Sequence, residues 1–409
     1  MFWLDKNINS WLAFFVLTVL SLTVGFWVIV SVENFQPEAA KIVKVEKRKQ
    51  ANATVLFPQP APPPSPPDIE KMKTQGCVAD GLLSGWGGNT NDIVKVVNRS
   101  DCYYLHRALE TWANHPDFES AKKIKAKIDK TDIIYGMFIA EAINTKTLYS
   151  DEDRSERFNF EKMCKDGMED FWKKNVCIPS FESKEYRKYL KYITEKAMDM
   201  GIQSFLFGQV FYQENNNLSN AWAPEIILQM KEYADSKGMK IVVGAQTNDI
   251  TDEKYLKNFD FIDGGVGLRA DGSIEDGPCF SRWWKKPGDW CWALLWNKLF
   301  AKNANNVFLH LDWGPKVGDD MSTFARMSDA MREKTLRDLH LFFTTQNKGF
   351  MLPILAVLPT ENGGCYGAKK SFYSPSKKYS CDDEEVINDI LKEAKKKAQF
   401  DKTYPVARL

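Results

Sequence analysis

Residues 204 to 247 read SFLFGQVFYQENNNLSNAWAPEIILQMKEYADSKGMKIVVGAQT. The stretch opens on an apolar run, Ser204 to Tyr212, and closes on another, Lys240 to Thr247. Between them, 222 to 237 carries apolar residues at helical spacing, and Ser236-Lys-Gly238 supplies a stop. Strand, amphipathic helix and strand in that order form the βαβ unit of a parallel sheet. The rhythm continues on both sides. Further strands are predicted at Ile133 to Ile143, Phe259 to Val266, Val307 to Trp313 and Phe350 to Leu358. Further helices are predicted at 184 to 200, 252 to 257, 290 to 302, 321 to 346 and 383 to 398. Residues 102 to 128 read as helical, and 75 to 100 leave room for one or two more strands. The fold class expected is α/β, a TIM-like (β/α) barrel over residues 75 to 409, complete or one strand short.

Connection lengths say which face works. Helix-to-strand segments are short, as at Ser236-Lys-Gly238, Asn258 and Asn347-Lys-Gly349. Three strand-to-helix segments are long: 144 to 183, 267 to 289 and 359 to 382. In parallel α/β architectures that carboxyl face carries the site.

The 409 residues hold 55 Lys and Arg against 54 Asp and Glu, so no basic field favours nucleic acid. With 44% hydrophobic residues the chain is not of disordered composition. No P-loop, G-x-S-x-G or H-E-x-x-H motif occurs.

One long apolar run exists. Trp11 to Val32 gives 22 positions without a charge, about 33 Å as helix and enough to cross a bilayer core. We expect a short tail at 1 to 10, a single transmembrane anchor at 11 to 32 and a stem at 33 to 74. The stem has seven prolines between 58 and 67, the composition of an extended polyproline spacer. Five basic residues after the span (Lys41, Lys44, Lys47, Arg48, Lys49) would hold the large domain in the cytoplasm. The cysteines argue for the opposite side.

The eight Cys fall into near neighbours: Cys77 with Cys102, Cys164 with Cys177, Cys279 with Cys291, Cys365 with Cys381. The last three pairs fall in or beside the long loops, where cross-links help most. Disulfides imply an oxidising, extracytoplasmic compartment. With no C-x-x-C and the four His in unrelated positions, no metal and no cofactor is expected.

Aromatic residues crowd the same loops. Trp283, Trp284 and Trp290 lie between Cys279 and Cys291, and Trp313 ends the fifth strand in chain order. Flat rings beside polar groups suit the faces of sugars. Side chains alternate along a strand, so polar groups near strand ends can be assigned to one interior. They are Glu141, Gln209, Gln246, Asp263, His310 with Asp312, and Glu361. Burying several carboxyls is costly unless they are paired or used. A glycoside hydrolase uses two: one as acid, the other as nucleophile or base. We take Glu141, Asp312 and Asp263 as catalytic candidates. Gln209, Gln246, His310, Glu361 and the four Trp are substrate-binding candidates.

With Glu141 in FIAEA, Asp312 in LHLDW and Trp-rich loops, residues 130 to 400 resemble extracytoplasmic (β/α)-barrel glycoside hydrolases at superfamily level. The resemblance implies a glycan or polysaccharide substrate. The chain departs from one large clan of these enzymes, which places a paired Asn-Glu at the fourth strand end; here that strand ends in Asp263-Gly-Gly. Two other functions fit the layout. One is a non-catalytic barrel that binds a glycan or an envelope protein. The other is a type II glycosyltransferase, with Asp319-Asp320 holding a divalent metal.

Overall fold

Apolar runs become strands buried on both faces. The computed structural model describes residues 64–151, 156–215, 217–247, 250–274, 304–313, 319–358 and 363–403. The run at 11 to 32, the stem up to 63, the helix expected at 290 to 302, Cys279, Cys291, Trp283, Trp284, Trp290 and Glu361 lie outside the described residues. Among the described residues no helix is long and apolar enough to cross a membrane.

Eight parallel strands make the core: β1 (Gly76–Ala79), β2 (Tyr104–Glu110), β3 (Ile134–Ile139), β4 (Ser204–Phe207), β5 (Val242–Ala245), β6 (Phe261–Gly265), β7 (Val307–His310) and β8 (Gly349–Val357). They pair in sequence order, and β8 returns to β1 through Cys77 opposite Leu352. The barrel is therefore closed. A two-residue strand, Phe372–Tyr373, adds antiparallel to the end of β8.

Alternation divides the side chains. Inward, every strand contributes to one cluster: Val78, Tyr104, Ile134 with Phe138, Leu206, Val242, Phe261, Phe308 and Met351. Phe261 and Phe308 stack with ring centres 4.5 Å apart. Outward, Leu105, Met137, Phe205, Val243, Leu309 and Leu352 pack against the helices. Those helices are α1 (Ile69–Gln75), α2 (Thr90–Arg99), α3 (Phe118–Lys125), α4 (Lys184–Asp199), α5 (Ala223–Ser236), α6 (Glu253–Leu256), α7 (Asp329–Thr345) and α8 (Glu384–Thr403). Their starts are capped as the sequence suggests. Ser183 accepts from the Tyr186 amide, and Pro224 sits in the first turn of α5.

Two expectations need correcting. Residues 102 to 128 are not one helix: 104 to 110 is β2, and the helix begins only at Phe118. The run expected to be a strand through Tyr212 stops at Phe207, and Val210–Gln213 is a helical turn. The helical reading of 102 to 128 rested on Trp112 and Phe118 as members of apolar faces. In fact β2 slips register between Leu105 and Leu109, and Arg107 sits at φ +57°. That is a bulge, which breaks the period-two pattern by which strands are recognised.

Cys77–Cys102, Cys164–Cys177 and Cys365–Cys381 are disulfides. The first ties β1 to Cys102, two residues before β2 begins. The others cross-link the long loops after β3 and β8. Disulfides at these places are the chemistry of an extracytoplasmic or secreted domain. Replacing Cys77 and Cys102 together by Ala should cost about 3 kcal/mol of stability, from loop-closure entropy returned to the unfolded chain. Denaturant unfolding measures it, with the midpoint lowered and the slope raised because the uncrosslinked unfolded chain exposes more surface.

Candidate functional site

The carboxyl ends of the strands gather a dense set of ionisable groups. Arg107 lies at their centre. The bulge in β2 turns its guanidinium into the barrel mouth, where the residue is buried. Its Nε is 2.8 Å from Glu110 Oε1 and 3.3 Å from Asp80 Oδ1. Its Nη1 is 3.4 Å from Asp312 Oδ1. The plane of the group covers the Phe138 ring, 4.2 Å from its centre. Asp80 follows β1, Glu110 ends β2 and Asp312 follows β7, so one cation cross-ties three strands.

Glu141 follows β3 and is buried. Its Oε1 accepts from Gln209 Nε2, and its Oε2 has no hydrogen-bond partner. Gly208 makes the close approach possible. A methyl there would fall inside the van der Waals radius of Glu141 Oε2. Burial pushes the Glu141 carboxyl up to about 7; Arg107 pulls the other way, and the Asp312 charge adds to the rise. Burial also opposes ionisation of Asp312, but His310 and Arg107 outweigh it and hold its carboxyl below the usual range.

Beneath these lie His106, Asp263 and His310, all buried. His310 Nε2 is 3.2 Å from Asp312 Oδ1, and His310 Nδ1 is 3.4 Å from Asp263 Oδ1. His106 Nε2 is 3.2 Å from the same Asp263 oxygen. The two imidazole centres are 5.3 Å apart. This corrects the reading that the His residues occupy unrelated positions. Among the described residues, His106, Asp263 and His310 form the group whose donor atoms lie close enough to hold a metal ion. Gln246 Nε2 is 3.5 Å from Asp263 Oδ2.

The mouth is edged by aromatic rings. Trp112, Trp172 and Trp313 come from the loops after β2, β3 and β7. Trp112 lies 5.0 Å from Trp172 and 5.8 Å from Trp313, centre to centre. All three are partly exposed. Beside Trp112 an open depression is lined by Trp86, Glu110, Asn114 and His115.

Asp319 and Asp320 are structural. Asp319 caps the short helix after it by accepting from the Ser322 amide at 2.6 Å. Asp320 accepts from the amides of Val266, Gly267 and Leu268 at 2.6 to 3.2 Å. That use of the pair removes the support for reading it as a sugar-nucleotide metal site.

The structure brings Glu141, Gln209, Gln246, Asp263, His310, Asp312 and Trp313 to one end of the barrel. It adds Asp80, His106, Arg107, Glu110, Trp112 and Trp172, which the sequence reading missed. Four of these, His106, Arg107, Glu110 and Trp112, lie in the segment read as helical. One signal was available: Tyr104 and His106, two apart and both amphipathic, follow a Cys that pairs with β1.

No protein-family model and no curated protein sequence matches the chain. In structure it is similar to a β-L-arabinopyranosidase of Geobacillus stearothermophilus, with 11% identity over 69% of this chain and 72% of that one, TM-score 0.40. It is similar to the glycoside hydrolase domain of PelA from Pseudomonas aeruginosa, with 10% identity over 61% and 92%, TM-score 0.35. It is also similar to an α-galactosidase of Saccharomyces cerevisiae, with 9% identity over 71% and 61%, TM-score 0.39. All three are glycoside hydrolases. Likeness at this level assigns no activity to this chain.

Replacing Arg107 by Met would leave Asp80, Glu110 and Asp312 facing one another without their cation. Removing one partner of a buried ion pair costs about 3 to 5 kcal/mol. We expect R107M to unfold at lower denaturant by that amount. An unchanged midpoint would show that the guanidinium does not hold the mouth together.

Proposed function

We propose that the chain is a carbohydrate-active hydrolase that cleaves a glycosidic bond in a glycan or polysaccharide. The observation that carries the reading is the arrangement of Glu141 and Asp312 at the ends of β3 and β7. Both are buried, and both feel Arg107. Glu141 holds a proton to about pH 7, as a general acid must. It would protonate the leaving oxygen. Asp312, ion-paired with Arg107, stays charged and would serve as nucleophile or as base for water. Gln209 steadies Glu141 by donating to its Oε1. Trp112, Trp172 and Trp313 offer ring faces to a sugar. Asp263 lies beneath His310 and faces no open surface, so we give it no part in the reaction.

Hydrolysis of aryl glycosides and polysaccharides by the full chain tests this. Glu141→Gln should lower kcat by about 100- to 10,000-fold on substrates with sugar leaving groups. On dinitrophenyl glycosides, whose leaving group needs no proton, it should lose little. Asp312→Asn should lose activity on both. If folded wild type cleaves none of the panel, or both variants keep wild-type rates, the hydrolase reading falls. A glycan-binding barrel would then account for the aromatic mouth.

The pH profile follows from Glu141. Its proton is present below its raised value and lost above it. Wild-type kcat on a substrate that needs the acid should fall as pH rises through about 7. The alkaline limb should vanish in Glu141→Gln. A wild-type limb that survives in that variant would assign the acid elsewhere.

We also propose that residues 11 to 32 anchor the chain as a single-pass membrane protein, with the disulfide-bonded domain on the extracytoplasmic side. The full chain should stay with the membrane fraction through an alkaline carbonate wash. Release into the supernatant would overturn the anchor.

A further inference from the structure

Three buried atoms in the barrel interior face one another, and each lacks a hydrogen-bond partner. They are His106 Nε2, Asp263 Oδ1 and His310 Nδ1. Each belongs to a residue no more than 1% exposed. Orphaned polar atoms are costly in such a place, and three pointing at one spot need a common cause.

The opposite side of each imidazole is occupied. His106 Nδ1 is 2.8 Å from the Tyr104 hydroxyl, which also meets Ser204 Oγ at 2.9 Å. His310 Nε2 faces Asp312 Oδ1 at 3.2 Å, with Arg107 Nη1 at 3.4 Å. A metal ion between the inner nitrogens and Asp263 would fix the tautomers, with a proton on His310 Nε2 toward Asp312 and one on His106 Nδ1 toward the Tyr104 oxygen.

We propose that His106, Asp263 and His310 bind one divalent transition-metal ion of the Zn²⁺ class. The spacing fits. Ligands at about 2.0 to 2.1 Å on a tetrahedral ion stand about 3.4 Å from one another. The two N···O separations are 3.2 and 3.4 Å, and all three donor atoms lie within 4.8 Å of one another. Two imidazoles and a carboxylate are the donors such ions take. The outer partners match as well: a metal-bound imidazole usually gives its other N–H to a carboxylate or similar acceptor. Charge favours it too. Among the described residues Arg107 pairs with Asp80, Glu110 and Asp312, so Asp263 is left with the two imidazoles and Gln246 as its partners.

The ion would bind beneath Asp312 and fix His310 with its proton toward that carboxylate. The proposal does not depend on the hydrolase reading. A metal-free chain with hydrolase activity, or a metal-loaded chain without it, would separate the two.

The test uses the full chain. Metal content is measured by mass spectrometry as purified. The chain is then unfolded in chelator and refolded with Zn²⁺ or Co²⁺ alone. We expect one equivalent of metal per chain, a Tm raised by Zn²⁺, and the intense visible bands of four-coordinate Co²⁺. His106→Gln, Asp263→Asn and His310→Gln should each lose that equivalent, whereas His115→Gln should keep it. Folded wild type that takes up neither metal, and shows no Tm shift, overturns the proposal without recourse to a variant. So does metal that persists in all three ligand variants.

Discussion

The mouth of this barrel depends on one buried guanidinium. A closed eight-stranded barrel brings eight strand ends into a small circle, and here three neighbouring carboxyls fall in it. Without a cation they would repel strongly at low dielectric. Arg107 resolves this because the bulge in β2 points it inward, where regular alternation would point it at the helices. The left-handed backbone at Arg107 is disfavoured for a residue with a Cβ, by about 1 to 2 kcal/mol. Contacts with Asp80, Glu110 and Asp312 offset it. The strained residue and the charge cluster therefore explain each other.

That coupling also sets what the sequence could reveal. β3 to β8 were legible because each is an apolar run followed by a turn or a helix, and short connections fixed their order. The polar residues near their ends followed from parity. β1 and β2 were not legible. β1 has only four residues, Gly76 to Ala79, and β2 is interrupted where Arg107 turns in. A four-residue strand carries too little periodicity to read, and a bulge destroys what β2 would have carried. Losing those two strands hid Asp80, His106, Arg107 and Glu110 together. It also made the His residues look unrelated, since His106 and His310 are neighbours only once β1 closes on β8.

The aromatic rim carries a similar lesson. Trp112, Trp172 and Trp313 are 60 and 141 positions apart in the chain. They meet because the loops after β2, β3 and β7 all rise from the same end of the barrel. Trp172 Nε1 donates to the Glu141 carbonyl, so the ring is pinned beside the candidate acid. A cluster of this kind needs a closed sheet before any of its members looks special.

Buried acids in this chain fall into two kinds, by how fully their oxygens are hydrogen-bonded. Glu214 accepts from the amides of Trp222 and Ala223 and from the Tyr255 hydroxyl. Asp320 accepts from three amides, and Asp383 from Arg332 and Tyr373. Each of these acids accepts at least two hydrogen bonds and ties together the segments that donate them. Glu141 has one amide donor, from Gln209, a residue itself at φ +22°, and its second oxygen is left bare above Gly208. Nothing local is stabilised by such a carboxyl. Stability would favour a Gln or a Met there, since a half-satisfied buried acid costs more than either. A strained donor and an unused oxygen meet at Glu141, and neither is accounted for by the packing around it.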